Sequence, residues 1–151
     1  MTTFLKNRDM KFSFHLLLTC IALTACGESG KTTADYRIVP RPGEIAPGDG
    51  GDFELDARTR IVCTGDGDGM RANAEFLAGY VESVVGSAPE ITGPDGLCDD
   101  GRAVILRADA PGKGGEAYEI EVSENRITVS GESDAGVFYG IQTLRKAMGA
   151  A

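Results

Sequence analysis

Residues 117–148 read AYEIEVSENRITVSGESDAGVFYGIQTLRKAM, and this stretch decides the fold. Tyr118, Ile120 and Val122 alternate with Glu119 and Glu121, and Ile127 and Val129 alternate with Arg126, Thr128 and Ser130. A period of two gives each strand one buried and one wet face. With Glu124-Asn125 as the two turn residues, antiparallel pairing sets Val122 opposite Ile127 and Ile120 opposite Val129. Both apolar rows then share a face, so turn and pattern select a single register. Asn125 is expected to supply the left-handed conformation of a tight hairpin turn.

A helix is expected next. Ser133 and Asp134 suit its first turn, where an oxygen accepts from orphan N–H groups and a carboxylate meets the positive end of the dipole. Val137, Ile141, Leu144 and Met148 recur at helical spacing, with Phe138 widening the stripe. Arg145 and Lys146 fall in the last turn, and Gly149 is the expected cap.

This order of alternating strand, turn, alternating strand and Gly-Glu-Ser-Asp-Ala-Gly-Val-Phe-Tyr-Gly-Ile-Gln-Thr-Leu resembles the end of the N-terminal, non-catalytic domain of glycoside hydrolase family 20 β-N-acetylhexosaminidases. The segment GVFYGIQTL, Gly136–Leu144, is its most specific part. Ile38-Val39-Pro40-Arg41-Pro42, a helix around Ala74–Val85 and a strand at Ala103–Arg107 follow the family's order, so the resemblance covers roughly Tyr36 to Met148. It implies release of terminal N-acetylhexosamine by an enzyme in which the sugar's own acetamido oxygen attacks the anomeric carbon, unlike the two-carboxylate scheme. It also implies that the Asp-Glu pair of that chemistry lies in a (β/α)₈ barrel of about 250 residues following the small domain. That barrel is expected to be absent from residues 1–151, and no catalytic residue is assigned.

Residues 1–25 read as a bacterial lipoprotein signal. Lys6, Arg8 and Lys11 form a basic head, and Phe12–Leu23 is an apolar run too short for a stable membrane span. Met10 is an alternative start. Leu23-Thr24-Ala25-Cys26 places small residues before a cysteine that becomes the lipidated N-terminus. Acyl chains contribute about 0.8 kcal/mol per buried CH₂, so several on Cys26 make a firm membrane anchor. Residues 26–35 read as a flexible tether. The product is expected to be exported and anchored in the periplasm or at the cell surface, and the lack of an acidic residue directly after Cys26 favours the outer membrane.

The chain has 15 basic and 23 acidic residues. Without the leader, 12 and 22 remain, a net charge near −10. This disfavours nucleic acid and anionic lipid surfaces as partners. The sole histidine, His15, is lost with the leader, and histidine-based catalysis with it. Cys20 leaves with the signal, and Cys26 is the anchor. Cys63 and Cys98 remain, either as two thiols or as a disulfide. A bridge closing a loop of about 35 residues would contribute roughly 3–4 kcal/mol on the chain-entropy model.

Residues 36–149 make one α/β domain. Phe53–Asp56 and Arg60–Thr64 read as a short hairpin. A helix from about Met70 to Val85 carries the stripe Met70, Ala74, Leu77, Val81 and Val84, with Phe76 and Tyr80 beside it and Gly86 as its stop. Glu90–Thr92 is a short strand, and Gly93–Gly101 and Ala110–Glu116 are loops. The continuous apolar run Ala103–Leu106 marks a strand buried on both faces. The expected fold class is α+β: a mixed, largely antiparallel sheet with two helices on one face.

Other chemical motifs are weak. Asp66-Gly67-Asp68-Gly69 lacks the ligand spacing of a calcium loop. Gly65, Gly67 and Gly69 miss the dinucleotide spacing. Gly112-Lys113-Gly114 lacks the flanks of a phosphate loop. Asp99-Asp100, being adjacent, are poorly placed to aim two carboxylates at one substrate. No cofactor or metal is expected. Tyr118 and Tyr139 carry rings able to stack on sugar, but both occur in core-like patterns, so direct glycan contact is not expected. Phe138 and Tyr139, however, exceed what a small core can bury, and part of the last helix is expected to face the barrel. The alternatives are a free-standing lipoprotein module that binds a glycan or protein, and an inactive remnant.

Overall fold

In the computed structural model, which describes residues 34–39, 41–46, 48–97, 101–109 and 115–148, the two quoted strands pair in the expected register. Strands β4 (Tyr118–Val122) and β5 (Arg126–Gly131) are antiparallel, with Val122 opposite Ile127 and Ile120 opposite Val129. The turn is anchored by Ser123, whose N–H and hydroxyl both donate to the Arg126 carbonyl, at 2.8 and 3.0 Å. Asn125 is not left-handed, since no described residue other than glycine has positive φ. Its carbonyl instead accepts from the Ala103 N–H at 3.1 Å, joining the turn to the next strand.

Three more strands and two helices complete the described fold: β1 (Arg60–Cys63), α1 (Asp68–Val85), β2 (Ile91–Thr92), β3 (Ala103–Arg107) and α2 (Asp134–Ala147). The strand order is β2-β1-β3-β5-β4. The sheet is mixed and the class α+β, but the expectation of largely antiparallel pairing is corrected. Strand β1 is parallel to both β2 and β3, and β3 is parallel to β5, so only the terminal hairpin is antiparallel. The reason lies in the connections. Helix α1 returns the chain from β1 to a parallel β2, and a crossover of this kind is how parallel neighbours are joined. The expected hairpin of Phe53–Asp56 with Arg60–Thr64 does not form, because both edges of β1 are occupied by β2 and β3. Phe53 and Leu55 pack against the core as irregular chain.

Both helices cover one face of the sheet. Ile61, Val104, Leu106, Ile127 and Val129 point to that side, where they meet Met70, Ala74, Leu77 and Val81 of α1 and Val137, Ile141 and Leu144 of α2. Each of these side chains larger than Ala74, fully buried, stabilises by about 1.5–3 kcal/mol relative to exposure. On the other face Val62, Ala103 and Ile105 are buried with Leu97. Strand β3 is thus buried on both sides, as its apolar run predicts. Helix α1 ends as expected at Gly86, whose φ of 83° is the left-handed C-cap and whose N–H reaches the Glu82 carbonyl at 2.8 Å. Val84, placed in the stripe on sequence, is exposed.

Helix α2 approaches the sheet closely. A Cβ at Gly136 would collide with the Ala117 carbonyl, and one at Gly140 would lie 2.5 Å from Val129 Cγ1. Ser133 is the N-cap and accepts from the Gly136 N–H at 3.4 Å. The two glycines of GVFYG, four apart on one face, therefore build the contact between α2 and β5. Phe138 and Tyr139 are turned the other way.

Candidate functional site

Side chains four and seven apart on a helix share a face. Phe76 and Tyr80 on α1, and Phe138, Gln142 and Arg145 on α2, are so spaced, and the two helices bring their outer faces together. The Phe76 and Phe138 ring centroids are 5.4 Å apart, tilted by 50°, and Phe138 and Tyr139 meet edge-on at 6.0 Å. The Arg145 guanidinium carbon lies 5.0 Å from the Phe76 ring centroid and 5.1 Å from that of Tyr80. Stacking of this type contributes about 0.5–2 kcal/mol, more as water is excluded. Arg145 Nη1 donates to Gln142 Oε1 at 3.0 Å, and the Tyr80 hydroxyl donates to the Arg145 carbonyl at 3.4 Å. Burial pushes the Tyr80 phenol up, against the opposing pull of Arg145. Arg145 Nε is buried without an acceptor.

The patch nevertheless faces outward: Phe76 is 39%, Phe138 36% and Tyr139 43% exposed. Core-like placement, expected for Tyr118 and Tyr139, holds only for Tyr118. It is half-buried, and its hydroxyl shares a 2.6 Å hydrogen bond with Thr143 Oγ1. Aromatic residues with an arginine among them are the composition of interface centres. Sequence reasoning found Phe138 and Tyr139 but missed Phe76, Tyr80 and Arg145. The helical spacings were visible, but their convergence depends on how α1 and α2 lie side by side.

Among the described residues the shifted carboxyl groups are each tied to arginines. Hydrogen bonds from Arg37 hold Asp35 below the usual carboxylate range, and those from Arg107 do the same to Asp109. Burial works to raise Asp56, but Arg58 and Arg102 outweigh it and hold Asp56 low as well. These are ionised partners of arginines, the reverse of a protonated general acid. Among the described residues no three His, Cys, Asp or Glu side chains converge to hold a metal. Asp68 lies in the first turn of α1, where its charge suits the helix dipole. Cys63 ends β1 half-buried, and burial pushes its thiol up, away from a reactive thiolate. Cys98, Asp99, Asp100, Gly112, Lys113, Gly114, Gly149, Cys26 and the leader lie outside the described residues.

The family model described as glycosyl hydrolase family 20, domain 2, matches residues 35–151. The chain belongs to this family. A beta-N-acetylhexosaminidase from Cellulomonas fimi is 30% identical to this chain over 112 residues, covering 74% of this chain and 22% of that protein. The solved structure of the family 20 beta-N-acetylhexosaminidase from Streptomyces coelicolor A3(2) shares its fold, with a TM-score of 0.62 at 23% identity over 78% of this chain and 21% of that one. A mutant Streptomyces plicatus beta-hexosaminidase in complex with its product GlcNAc gives 0.59 at 25% identity, over 74% and 21%. The chain thus spans about a fifth of the length of these relatives.

Proposed function

We propose that this chain is the non-catalytic N-terminal domain of an exported β-N-acetylhexosaminidase acting in the breakdown of amino-sugar glycans. In that enzyme the catalytic (β/α)₈ barrel belongs to the same polypeptide, and the outer face of α1 and α2 docks on it. The observation that carries the reading is the family match over residues 35–151 together with an aromatic face left open on a domain of this size. A monomeric domain has no folding reason to leave Phe76, Phe138 and Tyr139 clustered at its surface. The relatives' greater length leaves room in them for a barrel. The domain's own role is then to bury that face and brace the barrel. Hydrolysis belongs elsewhere in the polypeptide.

The purified 151-residue chain tests this with a chromogenic N-acetyl-β-glucosaminide. No turnover above buffer is expected, and turnover proportional to protein concentration would overturn the assignment.

We further infer export and anchoring through Cys26, supported by the basic head, the apolar run and Leu23-Thr24-Ala25-Cys26. Labelled palmitate should enter the expressed protein and be lost in Cys26→Ala. Equal labelling of both would contradict the anchor.

A further inference from the structure

Helix C-termini leave carbonyls without intrahelical donors. Helix α1 answers this locally, through Gly86. Helix α2 ends on a right-handed C-cap, Met148, at φ −75° and ψ −6°, whose N–H donates to the Leu144 carbonyl at 3.0 Å. The Ala147 carbonyl is met from outside, by the Asp35 N–H at 2.8 Å. Lys146 Nζ donates in turn to the Val39 carbonyl at 2.6 Å. Between these two contacts Ile38 is only 8% exposed, whereas its neighbour Val39 is 78% exposed. The segment is stiffened from within, as the Asp35 carboxylate accepts from the Arg37 backbone N–H at 2.9 Å and from Arg37 Nε at 3.1 Å.

We propose that residues 35–39 are a positioning strap for the aromatic face, with Ile38 as its plug. The strap clamps the last turn of α2, and that turn carries Arg145. Left alone, a terminal turn frays at small cost in free energy. Fraying here would withdraw the guanidinium from Phe76 and Tyr80 and break the Tyr80–Arg145 hydrogen bond. The strap therefore sets whether the face is presented in a fixed geometry. Its importance for docking rests on the barrel-facing reading above. Its action on Arg145 does not, so the two can fail separately.

The test is NMR on the 151-residue chain, reading amide hydrogen exchange and the Arg145 Nε–H resonance, whose position depends on the two rings. Ile38→Ser should accelerate exchange at Leu144–Met148 roughly tenfold or more over Val137–Ile141. It should also move the Nε–H resonance toward that of a free arginine. Ile38→Val should restore both, and Val39→Ser should change neither. Uniform acceleration through α1 and α2 would make Ile38 an ordinary core residue and overturn the proposal, as would no change at all. Should Ile38→Ser fail to fold, Lys146→Met removes the donor to Val39 without touching the core. The same localised change is expected in that variant, and its absence would overturn the strap. If the strap behaves as stated while a face variant docks normally, the docking reading alone falls.

Discussion

Gly140 lies directly over Val129: a Cβ at position 140 would sit 2.5 Å from Val129 Cγ1, so a hydrogen side chain sets the distance between α2 and β5. Helix propensity alone favours alanine over glycine by about 1 kcal/mol. Packing reverses the sign here. Gly140→Ala should cost about 1–3 kcal/mol through overpacking. Gly136→Ala should cost at least as much, because the atom it meets is the Ala117 carbonyl oxygen on the backbone, which cannot rotate away. Urea denaturation of both variants checks this; stabilisation of either would refute the close contact.

Asn73 is buried on α1, and its Nδ2 donates to the Asp134 carbonyl at 2.8 Å, tying α1 to the first turn of α2. Asn73→Ala removes the donor and leaves that carbonyl facing an apolar side chain. The expected loss is about 1–3 kcal/mol, again read from the urea midpoint.

Local signals in the sequence were read correctly where one residue type does one job. The hairpin register follows from Ile120, Val122, Ile127 and Val129. Ser133 as N-cap and Gly86 as C-cap follow from their chemistry. The two-sided burial of β3 follows from Ala103–Leu106. Relations between distant segments were harder. Strand direction depends on the path of the connection, so the parallel pairing of β1 with β3 was missed, although a continuous apolar run already favours parallel neighbours. Phe53 and Leu55 read as a strand because they are apolar and alternate, yet both edges of β1 are already taken by β2 and β3. The aromatic face was half legible. Phe138 and Tyr139 were visible as excess apolar surface, but Arg145 read only as a cation suited to a helix end. Its stacking on Phe76 and Tyr80 is a tertiary fact. Asn73, an ordinary polar residue in a helical run, gave no signal at all.

Asp56 makes a pH prediction. Its carboxylate accepts from Arg58 Nη2 at 3.0 Å and Arg102 Nη1 at 2.9 Å, and its pKa is held below the ordinary value despite burial. A carboxyl that binds its proton less readily when folded contributes stability in full above its unfolded value, near pH 4. That contribution is lost as pH falls through the folded value. Wild-type stability should therefore drop as pH falls below about 4, and Asp56→Asn should be less stable at pH 7 with a shallower drop. Parallel acid limbs in the two proteins would assign the pH dependence elsewhere.

Phe138 and Tyr139 separate folding from docking. Because both are exposed in the domain, Phe138→Ser with Tyr139→Ser should change its stability by less than about 1 kcal/mol in total. Ile141→Ala, one turn away and fully buried, should cost about 2–5 kcal/mol. In an enzyme carrying both domain and barrel, the surface variants should loosen the barrel and lower its melting temperature. Loss of domain stability comparable to Ile141→Ala would make these aromatics core residues and remove the basis for a docking face.

The central claim, that this chain is the non-catalytic part of a family 20 enzyme, is tested most directly by reading the nucleotide sequence beyond codon 151. The expected result is a continuation, in frame or shifted by one frame, that encodes a (β/α)₈ barrel with an Asp-Glu pair. A stop codon followed by unrelated sequence would contradict it.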